Sequence, residues 1–169
     1  VVRYGNVLDS RGSLIPLFRK LIREGVENLP ITDPRMTRFW ITLDQGVEFV
    51  LRSLARMRGG EIFVPKIPSM RIVDVAEAMA PGLPHEIVGV RPSEKLHEVL
   101  ISEDDARLTL ELDDAYIICP AFHFWTPEAI HENGARPVAE DFRYTSDTNS
   151  QWIDAEGLRI LLKEHESRD

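Results

Sequence analysis

Apolar residues recur along this chain at two spacings, one suited to helices and the other to strands. Leu14, Leu17, Phe18, Leu21 and Ile22 form one stripe at helical spacing. Ser13 stands where a helix is capped, Pro16 falls in a first turn that tolerates its missing N–H, and Gly25 is placed to stop the helix. Val47, Val50, Leu51 and Leu54 repeat the pattern across residues 44–58, which end at Gly59-Gly60. Residues 69–80 predict a third helix with Val73, Ala76 and Met79 inward, closed by Pro81-Gly82. A last helix follows Asp154 as its cap and carries Leu158, Leu161 and Leu162. Between the helices lie short β-branched runs at residues 1–7, broken at Gly5, and at 61–64 and 86–90. The alternation up to Val90 predicts an α/β architecture with mostly parallel strands.

The tail differs. Residues 108–119 predict a hairpin turning at Asp113-Asp114, residues 122–143 an irregular excursion over the surface, and residues 144–150 a run of loop formers. The charged end, residues 163–169, is expected to fray.

A chain of 169 residues fits about one domain. With 43% hydrophobic and 28% charged residues it has the make-up of a globular protein with a real core, which excludes a disordered or collagen-like chain. No apolar run reaches the ~20 residues of a membrane span, and no signal segment opens the sequence, so the expected location is the cytoplasm. The chain opens on Val1 rather than methionine, as a processed or partial product does. A net charge of -8 argues against a broad nucleic-acid-binding face, while leaving room for a small anion held by a few local arginines. Cys119 is the only cysteine, which removes an internal disulfide and any multi-cysteine zinc site. Its apolar neighbours predict a buried structural thiol.

Three segments carry candidate chemistry. Residues 6–14 leave a strand's carboxyl end and enter a helix amino terminus, an edge that favours anions, with Arg11 as a fixed charge. The same residues also fit an ordinary strand-to-helix turn. Arg35 and Arg38 lie beside Phe39 and Trp40 and could grip a phosphate or a base. Arg35 reads better as a surface ion pair, and for Arg38 both readings stay open. Arg91 ends a strand, and Pro92 fixes the direction of the chain beyond it, a placement suited to bidentate contact with a diphosphate. The following Glu94, Lys95, His97 and Glu98 read as a solvated helix face. His123 and His131 have no metal-ligand spacing, and His85 and His165 read as exposed polar residues. The chain has no glycine fingerprint for a dinucleotide, no nucleophile elbow and no phosphate-binding loop of the P-loop kind. It also lacks a Tyr-x-x-x-Lys pair, because Leu8, Pro120 and Thr148 stand four residues after Tyr4, Tyr116 and Tyr144.

Several runs carry a resemblance to a known family: residues 3–7 through 11–13, 30–42, 60–69, 91–98 and 146–149. In this order they resemble the carboxyl-terminal half of the inverting UDP-N-acetylglucosamine 4,6-dehydratases, extended short-chain dehydrogenase/reductases of bacterial surface-sugar synthesis. Ser93 stands where the family has glycine. The resemblance implies the end of a Rossmann sheet, with residues 1–8 as its closing strand, followed by a smaller α/β substrate-binding domain. It also implies an amino-terminal half, absent from this chain, that holds NADP and the catalytic acid, lysine and tyrosine. In the family the sugar is oxidised at carbon 4, water leaves across carbons 5 and 6, and hydride returns to carbon 6 with inversion at carbon 5.

By residue match, nucleotide-sugar binding falls to Asn6, Arg11, Gly12, Ser13, Leu14, Arg91, Thr148, Asn149, Ser150 and Gln151. Asn28 joins them by family position, with an amide suited to a uracil edge. Tyr4 is expected near the nicotinamide, and none of the catalytic residues is expected in this chain. The implied assembly is a lyase acting on a UDP-sugar, made of both halves and forming a homo-oligomer. Alternatives are another UDP-sugar epimerase or dehydratase of the superfamily, and a binding or oligomerisation module without chemistry.

Overall fold

The computed structural model describes residues 1–122 and 134–166, with side chains through residue 163. In chain order the elements are β1 (Asn6–Val7), α1 (Leu14–Glu24), β2 (Leu29–Ile31), β3 (Thr37–Ile41), α2 (Leu43–Arg56), β4 (Ile62–Pro65), β5 (Ser69–Arg71) and α3 (Ile72–Met79). There follow β6 (His85–Ile87), β7 (Val99–Ile101), α4 (Glu103–Ala106), β8 (Thr109–Glu111), β9 (Ala115–Ile118), β10 (Arg136–Pro137), β11 (Tyr144–Thr145) and α5 (Ala155–Glu166).

The first part of the chain pairs its strands mainly in parallel. β1 lies parallel to β3, β2 parallel to β6, and Val2 makes a parallel bridge to Phe63 of β4, while β3 and β5 are antiparallel. The strands of the tail pair antiparallel, in β8–β9, β4–β9, β8–β10 and β7–β11, while Trp152 makes an isolated parallel bridge to Ser69. The α/β class read from the sequence is the one observed, and the change of pattern after Val90 is a change of strand direction. The expected hairpin is β8–β9, turned at Asp113-Asp114, with Leu112 N–H donating to Ala115 O at 2.8 Å.

Capping explains where the helices end. Gly25 adopts φ 73°, and its N–H and that of Val26 close onto Ile22 O and Leu21 O, satisfying carbonyls that the end of α1 leaves open. Thr42 and Gln45 make a reciprocal capping box at the start of α2. Asp154 Oδ1 accepts the Gly157 N–H at 2.8 Å, as its cap role requires. α5 continues to Glu166, beyond the residue at which fraying was expected to begin.

Four expectations need correction. The strand expected at residues 1–7 is two pieces, a bridge at Val2 and β1, separated at Tyr4-Gly5. The helix expected from Ser69 begins at Ile72, because Ser69 to Arg71 pair with Phe39 to Thr37. Tyr144-Thr145, expected in a loop, pair with β7. The strand expected at residues 86–90 ends at Ile87, so Arg91 lies four residues beyond it and not at its end. The apolar face left exposed is on α2. Ile15 and Phe18 of α1 are buried with Leu29, Ile31, Met70 and Leu158 in this chain's own core. On α2, Gly46, Phe49 and Ser53 are buried, with Phe49 packed among Phe63, Ala115 and Ile117. Leu51 and Leu54 are 61% and 63% exposed, with Leu43, Val47 and Val50 beside them. The two strips are about 100° apart around the helix, so the sequence shows the stripe's period without showing which strip meets the sheet.

Within the surface excursion, β10 pairs with β8 as an edge strand. His123 and His131 lie outside the described residues, as does the side chain of His165.

β3 is the central strand of β1-β3-β5, and Gly5 lies directly against it. A Cβ at Gly5 would stand 2.4 Å from Phe39 Cβ and 2.6 Å from Phe39 O. Backbone cannot yield as a flexible side chain can. Gly5→Ala is therefore expected to cost roughly 2–3 kcal/mol of stability, read as a lower midpoint in chemical denaturation.

Candidate functional site

The parallel register of β1 and β3 sets Val7 opposite Ile41, so both strands leave the sheet at the same carboxyl edge. From that edge β1 runs into a tight turn. Ser10 N–H donates to Val7 O at 3.3 Å and Ser13 N–H to Ser10 O at 3.0 Å, with Asp9 at φ 57° and Gly12 at φ 78°. Asp9 accepts a hydrogen bond from Arg19 of α1, which anchors the turn to the helix. Arg11 and Gly12 are exposed, and among the described residues the Arg11 guanidinium has no hydrogen-bond or ion-pair partner.

Ser13 occupies the N-cap position of α1 without making a side-chain cap bond. Its Oγ is shielded from solvent and partnerless among the described residues. No acidic residue stands in the first turn of α1. The helix thus presents open N–H donors and its positive dipole end toward a turn that carries an unpaired arginine, an arrangement that receives anions.

The other arginines divide sharply. Arg35 makes a bidentate pair with Asp33 (Nε–Oδ1 3.0 Å, Nη2–Oδ2 2.8 Å), and the Arg35 side chain and N–H hold the Asp33 carboxyl down at about 2. It is a surface ion pair. Arg38 is a clamp, donating to Thr37 O, Leu96 O and Lys95 O, with Glu98 3.6 Å from its Nε. Burial pulls Arg38 below its usual range, and its donors are already engaged. Arg91 is exposed, its N–H donates to Glu94 Oε2 at 3.1 Å, and its guanidinium has no partner among the described residues.

Residues 91–98 do not form the helix face read from the sequence. Pro92 and Ser93 make a turn with Ser93 at φ 70°, a left-handed conformation that explains why glycine suits this position. His97 and Glu98 are half-buried and tied to β3 and to Ser146. No spacing in the sequence marks this attachment, which shows only once β3 and residue 146 are adjacent.

Residues 148–151 are strapped beside β5. Asn149 Nδ2 donates to Ile67 O at 2.9 Å, Ser69 Oγ at 3.1 Å and Gln151 O at 2.9 Å, while Ser69 N–H donates to Gln151 O. Thr148 Oγ1 pairs with Thr145 Oγ1 at 2.8 Å, and Ser150 and Gln151 are exposed. The order β1, β3, β5 and then Gln151 sets Asn6 about three strand spacings from this run, roughly 14 Å. Leu14 opens α1 half-buried at the turn. Asn28 precedes β2, whereas Arg91 follows β6, and because those strands are parallel the ladder holds the two residues at opposite ends. Tyr4 is exposed beside Gly5. A groove of about 800 Å³ lined by Arg71, Asp74, Trp152 and Ile160 includes none of these residues. Cys119 is half-buried, and burial with the Glu61 charge pushes its thiol up to about 11, which suits a structural role.

Residues 1–120 match the family model described as polysaccharide biosynthesis protein. The chain is 51% identical, over 98% of its length, to a UDP-N-acetylglucosamine 4,6-dehydratase (inverting) of Campylobacter jejuni subsp. jejuni serotype O:2. The chain belongs to this polysaccharide biosynthesis family. A second relative, a UDP-glucose 4-epimerase of Rickettsia canadensis, is 43% identical over 96% of the chain. Among solved structures, Pen from Bacillus thuringiensis superposes with a TM-score of 0.81 at 32% identity over 98% of the chain. The chain covers 51%, 48% and 49% of these three proteins, and so spans about half the length of the relatives it matches.

Ser93 gives this site a direct test. Serine in the left-handed region carries strain that glycine does not, so Ser93→Gly is expected to raise stability by roughly 0.5–1 kcal/mol, seen as a higher thermal midpoint.

Proposed function

We propose that this chain is the nucleotide-sugar-binding half of an NADP-dependent UDP-N-acetylglucosamine 4,6-dehydratase that inverts carbon 5, a lyase acting in the cytoplasm. The observation that carries the reading is the turn into α1, where, among the described residues, Arg11 and the Ser13 hydroxyl have no partner and the helix amino terminus is open. A UDP-sugar brings two phosphate charges to an otherwise acidic protein, and this turn with Arg91 supplies the charge-assisted donors they need. Asn6, Gly12 and Leu14 line the same turn and Thr148, Asn149, Ser150 and Gln151 form the second wall, while Asn28, at the far end of the β2–β6 ladder from Arg91, stands apart from them. The similarity to the Campylobacter jejuni dehydratase supports the choice of sugar.

The residues described do not compose a dinucleotide site of their own. The glycines at Gly59-Gly60 lead from a helix into β4, the reverse of a phosphate-cradling strand-to-helix turn. Tyr4 is the contact we assign toward the nicotinamide, and the rest of the NADP site belongs to the other half of the enzyme. The exposed flank of α2 supports such a partner, since an apolar stripe centred on Leu51 and Leu54 is suited to burial against another layer. A second reading, a UDP-glucose 4-epimerase, draws on the Rickettsia canadensis relative and uses the same phosphate turn. The products of the intact enzyme separate the two.

Two measurements, turnover and UDP affinity, test the proposal. The 169-residue chain alone is expected to release no 4-keto-6-deoxy sugar from UDP-N-acetylglucosamine and NADP. Adding the amino-terminal half of the Campylobacter jejuni relative is expected to restore turnover, and Leu51→Glu with Leu54→Glu to prevent the restoration. Turnover by the chain alone contradicts the assignment. Arg91→Ala in the full-length enzyme is expected to lose about 1.5–3 kcal/mol of UDP affinity by calorimetric titration, and Arg35→Ala much less. Unchanged UDP binding by a folded Arg91→Ala variant removes Arg91 from the site.

A further inference from the structure

A buried chain of hydroxyls joins the three segments that surround the proposed site. His97 Nδ1 lies 2.8 Å from Thr37 Oγ1, and Thr37 Oγ1 lies 2.6 Å from Ser146 Oγ. Ser146 Oγ accepts the Glu98 N–H at 2.9 Å and lies 3.2 Å from Thr37 O. The backbone runs alongside, with Thr37 N–H donating to Leu96 O and Ser146 N–H to Glu98 O. Thr37 and Ser146 are 3% and 0% exposed, so water is poorly placed to replace any missing bond.

Proton counting leaves two self-consistent directions for the chain. If Ser146 donates to Thr37 O, the Thr37 hydroxyl is directed at Ser146 Oγ and His97 Nδ1–H donates to Thr37 Oγ1. If the Ser146 hydroxyl is directed at Thr37 Oγ1, the Thr37 proton is donated to a bare Nδ1 and only the 3.2 Å contact to Thr37 O goes unmade. In both, the ring is bonded through Nδ1 to Thr37 and the chain is continuous to Ser146. Asp33, in the turn before β3, and Asp147, just after β11, both lie within electrostatic reach of the ring.

We propose that His97, bonded through Nδ1 to Thr37 at the head of this relay, is a positioning residue that sets the Arg91 stretch in register with residues 148–151. The inference rests on the preceding reading that these two segments hold the nucleotide sugar. Leu96 and Glu98 flank His97 and bind Thr37 and Ser146, while Thr148 lies two residues beyond Ser146. The ring therefore fastens one wall of the site to the other through β3.

The test uses the full-length enzyme with UDP as the probe. His97→Gln places its amide where Nε2 stood and breaks the relay, whereas His97→Asn keeps an N–H donor near the Nδ1 position. His97→Gln is expected to weaken UDP binding about tenfold, and His97→Asn to return it to within about threefold of the parent. In an Arg91→Ala background His97→Gln is expected to add almost nothing, because its effect passes through Arg91. Full additivity, or parental affinity in His97→Gln, overturns the proposal. Nitrogen-15 NMR of His97 reads the relay without any ligand: an Nδ1 signal that shifts in Thr37→Val supports it, and a ring that does not respond to Thr37→Val overturns it. If the parent binds no UDP while the ring responds to Thr37→Val, the functional reading fails and the relay stands.

Discussion

The structure depends on β3 being buried at every residue but Arg38 and paired on both edges. Thr37, Phe39, Trp40 and Ile41 are buried, β1 takes one edge through Asn6 and Val7, and β5 takes the other through Ser69 to Arg71. Every segment of the proposed site is fastened to this strand or to its neighbour. The anion-receptive turn leaves from β1, residues 91–98 attach at Thr37 and Arg38, and residues 148–151 attach through Ser69. A central strand has no spare backbone donors, so each attachment is made at a strand end or by a side chain. This is why Arg38 is committed to carbonyls, and why Gly5 must lack a Cβ.

The same burial made β3 the element hardest to read. A strand covered on both faces loses the alternation that marks a strand half-exposed to water. Phe39 and Trp40 beside two arginines therefore fit a binding segment as well as a core one, and the structure makes them core. Elements with local chemical punctuation were legible: Gly25 ends α1, Asp154 caps α5, and Asp113-Asp114 turns the β8–β9 hairpin. For α2 the period was legible and the facing was not. Gly46, Phe49 and Ser53 meet the sheet because small residues allow close approach, a property no apolar periodicity reports.

Part of the candidate site was legible for a different reason. A turn between a strand's carboxyl end and a helix amino terminus has electrostatic properties set by the backbone, so Arg11, Gly12 and Ser13 could be singled out by position. Which arginines remain available could not be read in that way. Arg35 reads from the sequence as a surface ion pair, and the structure gives that pair with Asp33, but for Arg38 both readings stay open. Only folding assigns Arg38 to three carbonyls while leaving Arg91 without a partner among the described residues.

That division has a physical logic in a protein of net charge -8. A guanidinium already bonded to a carboxylate or to buried carbonyls must break those bonds before it can meet a phosphate, whereas an unpaired one loses only water. The affinity of an acidic surface for a dianionic ligand thus rests on the cations the fold leaves uncommitted and on helix N–H groups, which carry no countercharge. Such groups help only if they converge, and convergence is a matter of loop position. The Arg91 stretch has a left-handed serine in its turn and no secondary structure of its own, so its placement comes from the bonds of Leu96, His97 and Glu98 to β3 and Ser146. Availability of charge and rigidity of position are supplied by different residues, and the exposed ones act only where the buried ones hold them.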